Sequence, residues 1–291
     1  MKKHEIKTED KMGKEKIILI TGGNSGIGFE AAKALSKIDN NKVYILCRSI
    51  ERGQAAVKEI GSGVKLMQLD LADLQGVKDF TDNFPLDRVD VLINNAGVMD
   101  LPKLTLTTNG LETQVGVNHF GHFALTQGLL SKLRKSSDPR VITVSSMVAY
   151  GKKFDYKNIN SQRNYSPYGA YRMSKLCNIL FAHELGRRNK WLKSVTVHPG
   201  VAGTNIKQHM NVVEQGGFKI MQSIIGQSAE AGALPLIYAA IREDIRSGMY
   251  IGPKYMTKGS VEEIKKPFES RKISSGKRLW LLSETILESV K

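Results

Sequence analysis

With 291 residues, 41% of them hydrophobic and 24% charged, the chain carries enough apolar material for a large buried core, which excludes a disordered body. Its 43 Lys+Arg against 28 Asp+Glu leave a formal net charge of +15. Much of that excess lies in the two ends, MKKHEIK and KYMTKGSVEEIKKPFESRKISSGKR, so a solvated basic surface is expected, with peripheral membrane contact as the alternative and no nucleic-acid partner.

Two distant cysteines, Cys47 and Cys177, make neither a disulfide framework nor a metal cluster. The N-terminus has no apolar signal region, and no window approaches the ~18 apolar residues of a membrane span. A soluble, cytoplasmic protein in a reducing compartment is the expectation.

Residues 1–14 read as a tail. KIILI (16–20), KVYILC (42–47), VKLMQL (64–69), VDVLI (89–93), RVITVS (140–145) and SVTVH (194–198) are β-branched apolar runs, with GMYIG (248–252) a shorter seventh. Such runs mark strands covered on both faces. Helical patterns separate them, among them IGFEAAKALSKI, IERGQAAVKEI and LETQVGVNHFGHFALTQGLLSKLRK. The alternation predicts an α/β fold, a single-domain doubly wound parallel sheet (Rossmann) of about seven strands over residues 15–252, with helices on both faces. Residues 253–291 form a basic extension whose helical stretch, KRLWLLSETILESV, is expected to pack Trp280 and Leu281 on the body.

The first strand runs through TGGNSGIG, residues 21–28, straight into a helix. At the carboxyl edge of a parallel strand this turn offers backbone amides and a helix N-terminus to a pyrophosphate. Gly22 would permit the exit from the strand, Gly26 a close backbone approach, and Gly28 the packing of helix on sheet. After the third strand Asp70 reads as a helix N-cap, a role for which Asp73 is better placed. INNAGV ends the fourth strand at Asn94 and turns through Asn95, Ala96 and Gly97.

Asn118 stands mid-helix in GVNHFGHF, where its poor propensity signals a kink or a bound water. His119 and His122 at i, i+3 have no further ligand cluster beside them, so no metal is expected. Of the strand-ending pair Ser145 and Ser146, Ser145 better suits a loop-capping role. Tyr171 and Lys175, at i, i+4, share one helical face. A phenol with a pKa of about 10 needs a neighbouring positive charge to act as a base near neutrality, and Lys175 can supply it. Cys177 reads as a core residue, and His198, before a proline at a strand end, as structural.

On T-G-x3-G-I-G (21–28), N-N-A-G (94–97) and Y-x3-K (171–175), in that order, the sequence resembles the short-chain dehydrogenase/reductase family over about residues 15–252. TTNGLETQVGVNHFGHF, the 25 positions from Ser146 to Tyr171, and SKLCNILFAHEL are similar to its retinol-dehydrogenase-like and WW-domain-oxidoreductase-like subgroup. The resemblance implies an enzyme interconverting a carbonyl and an alcohol. It assigns Tyr171 as acid/base, Lys175 as the charge beside it and a ribose ligand, Ser146 as the second donor to the carbonyl oxygen, and Asn118 as support for a water relay.

It also implies a cofactor site of Thr21, Gly22, Asn24, Ser25, Gly26, Ile27, Gly28, Arg48, Asp70, Leu71, Asn94, Ala96, Gly97, Tyr171, Lys175, Pro199, Gly200 and Thr204. Where an NAD-preferring enzyme places a carboxylate after the second strand, this chain has Cys47 and then Arg48. A guanidinium grips a 2′-phosphate that a carboxylate would repel, so NADP(H) is expected over NAD(H).

The resemblance implies a mobile lid over residues 205–227, for which a plain amphipathic helix is the alternative, and an apolar small-molecule carbonyl or alcohol, such as a retinoid, steroid or lipid aldehyde, as substrate. The missing anchor favours a soluble carbonyl reductase. Family members associate through two long helices, here roughly 113–135 and 169–189, which leaves homodimer, homotetramer and monomer open. The rival function is a non-catalytic NADP(H)-binding regulator, which would have no need for Asn118, Ser146, Tyr171 and Lys175 together.

Overall fold

A computed structural model describes residues 15–200 and 228–290; the N-terminal tail, the expected lid and Thr204 lie outside the described residues. Its sheet has the order β3-β2-β1-β4-β5-β6-β7-β8. The strands are β1 Lys16–Thr21, β2 Asn41–Cys47, β3 Val64–Gln68, β4 Val91–Asn94, β5 Arg140–Val144, β6 Lys193–Val197, β7 Tyr250–Pro253 and β8 Val261–Glu263.

The first seven pair in parallel, and β8 adds antiparallel to β7 with Gly252 opposite Glu262. Among the described residues the sheet therefore has eight strands, against about seven expected. VEE carries no apolar run, and β8 exists because the edge of β7 offers unpaired backbone groups. Pairing of β1 with both β2 and β4 reverses the winding direction there, and the crevice at that switch point opens at the carboxyl ends of the strands.

Both faces of the sheet are covered, which is why the strands lack polar alternation. Ile18, Ile20, Ile45, Ile93, Ile142 and Val195 pack toward α1 (Gly26–Leu35), α2 (Ile50–Ile60) and α7 (Ala229–Ile241). Leu19, Leu46, Leu92 and Val141 meet the opposite layer, α3 (Leu74–Asp82), α5 (His122–Leu133), α6 (Pro167–Arg188) and α8 (Ile273–Glu288). Each such fully buried side chain contributes roughly 1.5–3 kcal/mol, and together they fix the strand ends from which the site is built.

The predicted helix near 111–135 is not regular. It starts as α4 (Thr113–Val115), widens into a π-helix over Gly116–Gly121 and resumes as α5. Asn118 sits inside the widened segment, where its poor propensity led one to expect a kink.

The terminal helix α8 begins at Ile273 and buries Leu279, Trp280 and Ser283. Leu281, expected to pack on the body, is 59% exposed. One residue of helix turns a side chain by 100°, and the contact face is set by Trp280 against Phe123 and Phe181, at centroid separations of 5.1 and 6.1 Å. His119 Nε2 lies 2.9 Å from Ser283 Oγ and ties the same helix down. α8 thus covers Phe123 and Phe181 on the two helices to which the resemblance assigns association between subunits. Among the described residues no helix is long and apolar enough to cross a membrane.

Candidate active site

The glycine turn leaves β1 at Thr21 with Gly22 at φ 66° and Gly26 at φ 56°, left-handed conformations in which a β-carbon is strained. A Cβ on Gly28 would collide with Asn95 Nδ2 and the Gly22 carbonyl. Gly28 thus makes room for the two turns to meet, where packing against the sheet was expected. The N-cap of α1, Ser25, makes no side-chain cap bond, so the first amides of the helix remain available to an anion. Asn24 is half-buried and Ser25 exposed, whereas Ile27 is buried.

Thr21 is 1% exposed and joins the neighbouring turn. Its Oγ1 accepts the amides of Asn95 and Ala96 at 2.9 and 3.0 Å, and Asn95 Nδ2 donates to the Thr21 carbonyl at 2.8 Å. The Asn94 side chain points away from the crevice, donating to Thr126 Oγ1 at 3.0 Å. Ala96 and Gly97 line the open side of this turn.

After β2, Cys47 is buried and its thiol donates to the Ser49 carbonyl at 3.3 Å, while Arg48 is exposed. Beyond β3, Asp70 Oδ1 accepts the Ala72 amide at 2.9 Å. Asp73 holds the N-cap position of α3 without a side-chain cap bond, and Asn109 Oδ1 takes the Leu74 amide at 2.9 Å instead. A loop 35 residues away therefore supplies the cap that the local sequence assigned to Asp73. Leu71 is buried, and its carbonyl packs against Gly121. Pro199 and Gly200, the latter at φ 77°, follow β6 on the same edge.

The candidate reactive side chains meet where β4, β5 and α6 converge. Ser166 caps α6 through the Gly169 amide at 3.2 Å, and Pro167 occupies its first position, which fixes the phase of the helix. That phase places Lys175 Nζ 5.6 Å from the centroid of the Tyr171 ring and 3.3 Å from the Val144 carbonyl. Ser145 and Ser146 divide their work differently from the expectation. Ser145 is buried and donates to the Lys175 carbonyl at 2.7 Å. Ser146 is the N-cap of the short turn Met147–Ala149, accepting the Val148 amide at 3.4 Å, and its hydroxyl also meets the Tyr171 phenol. Arg172 holds the following loop through the carbonyls of Val148 and Tyr150, at 2.9 and 2.8 Å.

Asn118 uses all of its amide. Nδ2 donates to the Val98 carbonyl and to Ser174 Oγ, both at 2.9 Å, and Oδ1 accepts the Val98 amide at 2.8 Å. Ser174 passes the link on to the Tyr171 carbonyl at 2.8 Å. A Cβ on Gly97 would lie 3.1 Å from Asn118 Oδ1 and 3.4 Å from Lys175 Nζ. The bare glycine therefore leaves an opening bounded by both groups, of the kind a ligand's flat face requires. With the uncapped α1 terminus and the absence of a carboxylate after β2, the crevice fits a phosphate-rich dinucleotide.

Burial governs the two titrating groups. It pushes the Tyr171 phenol up to about 12, against the Ser146 hydroxyl, which favours the phenolate. It pushes the Lys175 ammonium down to about 8. In the chain alone, desolvation dominates the phenol, and the opposing effect comes from Ser146, where the sequence assigns it to Lys175. Among the described residues, His198 Nε2 sits 2.7 Å from the Met256 carbonyl, and His119 and His122 face different partners. Cys177 is wholly buried, and burial raises its thiol. Sequence reasoning passed over Ser174 and the bridging role of His122, because their partners are distant in the chain.

A family model described as short chain dehydrogenase matches residues 16–215. Human "Retinol dehydrogenase 11" is 33% identical over 94% of this chain and 86% of its own length. Human "Retinol dehydrogenase 13" is 38% identical over 81% of this chain and 75% of its own. A solved Mycobacterium paratuberculosis protein is 34% identical, covers 94% of both chains and superposes with a TM-score of 0.79.

Proposed function

The chain belongs to the short-chain dehydrogenase family, an oxidoreductase family, and on that premise we propose that it interconverts an apolar carbonyl and its alcohol with NADP(H). The observation that carries this reading is the convergence of Tyr171, Lys175, Ser146 and the opening at Gly97 at the carboxyl edge of the sheet. The dinucleotide, when bound, supplies or takes up the hydride.

During reduction, negative charge builds on the carbonyl oxygen as the hydride reaches carbon, and the Ser146 and Tyr171 hydroxyls donate to that oxygen. Tyr171 then transfers its proton, so carbon gains the hydride, oxygen the proton, and the phenol is left as phenolate. Oxidation runs the same transfers backwards. The Lys175 ammonium would stabilise the phenolate and, with a dinucleotide bound, would hold its ribose hydroxyls. Asn118, whose amide is fully occupied by Val98 and Ser174, acts on the relay by fixing the wall of the opening and through its main-chain carbonyl.

The turn from Gly22 to Gly28, with Asn24, Ser25, Gly26 and Ile27, would hold the pyrophosphate. Asp70 and Leu71 would face the adenine, and Asn94, Ala96 and Gly97 the nicotinamide-side ribose, Asn94 through its backbone. Pro199, Gly200 and Thr204 would meet the carboxamide. The exposure of Arg48 immediately beyond Cys47 supports a 2′-phosphate contact shared with Ser25. For Arg48→Ala the ratio of kcat/KM with NADPH to that with NADH should fall by about tenfold, as expected for one charge-assisted contact; an unchanged ratio rejects the NADP(H) preference.

Tyr168, 55% exposed one turn before Tyr171, and Tyr156, 41% exposed in the preceding loop, support an apolar substrate. A panel of aldehydes, ketones and alcohols assayed with both dinucleotides tests the reading. Turnover of apolar carbonyls is expected, and turnover confined to polar sugars, or none at all, rejects it. With α8 over Phe123 and Phe181, any homodimer or homotetramer would form through another face.

A further inference from the structure

His122 has no part in the steps above, yet it stands between their two halves. It is 1% exposed and opens α5 directly after the π-helical segment. Its own amide turns to the His119 carbonyl, and its ring Nδ1 lies 3.0 Å from the main-chain oxygen of Asn118. Its Nε2 lies 2.8 Å from Thr21 Oγ1.

Chemistry settles the direction of both bonds. A carbonyl only accepts, so Nδ1 carries the hydrogen; Nε2 of a neutral ring is then bare and accepts the one threonine hydroxyl hydrogen at 2.8 Å, a shorter contact than that hydroxyl makes to the Ile93 carbonyl at 3.3 Å. Burial keeps the ring neutral, pushing it down to about 4, and the nearby charge of Lys175 acts in the same sense. Thr21 Oγ1 in turn receives the Asn95 and Ala96 amides. One imidazole therefore completes a continuous line of hydrogen bonds from the Asn95–Ala96 turn, through Thr21, to the Asn118 carbonyl.

We propose that His122 is a positioning residue for hydride transfer, holding the dinucleotide-facing turn at Thr21 and the Asn118 main-chain carbonyl in one fixed relation. The proposal rests on the oxidoreductase reading above. Its two bonds serve different halves of the reaction, the Thr21 side the binding of dinucleotide and the Asn118 side the relay of protons. They are separable by substitution. His122→Asn places an amide nitrogen near the position of Nδ1 and keeps the bond to Asn118. His122→Gln places an amide near the position of Nε2 and keeps the bond to Thr21.

The test measures, for wild type and both variants, the NADPH dissociation constant by fluorescence titration, kcat on an aldehyde, and the urea unfolding midpoint. His122→Gln is expected to bind NADPH within about twofold of wild type while kcat falls roughly tenfold, and His122→Asn to show the reverse split, each reflecting one lost hydrogen bond. The positioning role is overturned if both variants lose binding and turnover in the proportion that the urea midpoint falls, if both match wild type, or if neither folds. A wild-type chain that binds NADPH but turns over no carbonyl or alcohol overturns the oxidoreductase reading instead. In that case the difference in NADPH affinity between the two variants still reports on the Thr21 side.

Discussion

Tyr171 and Lys175 face each other in one buried setting that acts on them oppositely, raising the phenol to about 12 and lowering the ammonium to about 8. At neutral pH the phenol is protonated and ready to donate, and the ammonium is mostly charged. Reductive kcat/KM should therefore hold through neutrality and decline above about pH 8, where Lys175 loses its proton; a profile flat to pH 10 contradicts the coupling. The pair was legible in the sequence because i, i+4 geometry is local. The division of labour between Ser145 and Ser146 was not, since it depends on where the Lys175 carbonyl lies after folding. The bridging role of His122 was invisible for the same reason, its Thr21 partner being 101 positions away.

At the scale of elements, the strand runs and the glycine turn were legible because two-sided burial and left-handed backbone each leave a compositional trace. What Gly28 packs against was not. Gly28→Ala would drive a Cβ into Asn95 and the Gly22 carbonyl, both backbone-anchored, and should cost roughly 1–3 kcal/mol of stability together with dinucleotide affinity. Wild-type values in urea unfolding and NADPH titration would refute the close contact. The strand β8 and the phase of α8 escaped the sequence because a charged tripeptide and an LWLL run carry no marker of which neighbour they meet. Trp280→Ala should cost about 3–5 kcal/mol, while Leu281→Ser should stay within about 0.5 kcal/mol. Equal losses would restore the sequence-based placement of Leu281.

The whole molecule carries a pH liability in its core. His119 is pushed down to about 3, and His122, His183 and His198 to about 4, in each case by burial first. In the unfolded chain the same rings titrate near 6.5. As the pH falls from 6.5 toward 4, the unfolded state binds protons that the folded state refuses. Stability therefore drops through that window by up to about 1.4 kcal/mol per ring per pH unit. Urea midpoints taken at pH 7 and pH 5 should differ accordingly; equal midpoints would mean that the rings accept protons in the fold. Below that window, carboxylates add their own titration. The sheet itself, with both faces apolar, has no part in this dependence and should retain its secondary structure longest.

The central claim is that Tyr171 moves the proton while other residues hold the dinucleotide, and comparing Tyr171→Phe with wild type tests it most directly. Turnover should fall by about 10²- to 10⁴-fold while the NADPH dissociation constant stays within roughly threefold, less than 1 kcal/mol. A variant that keeps wild-type turnover would contradict the account.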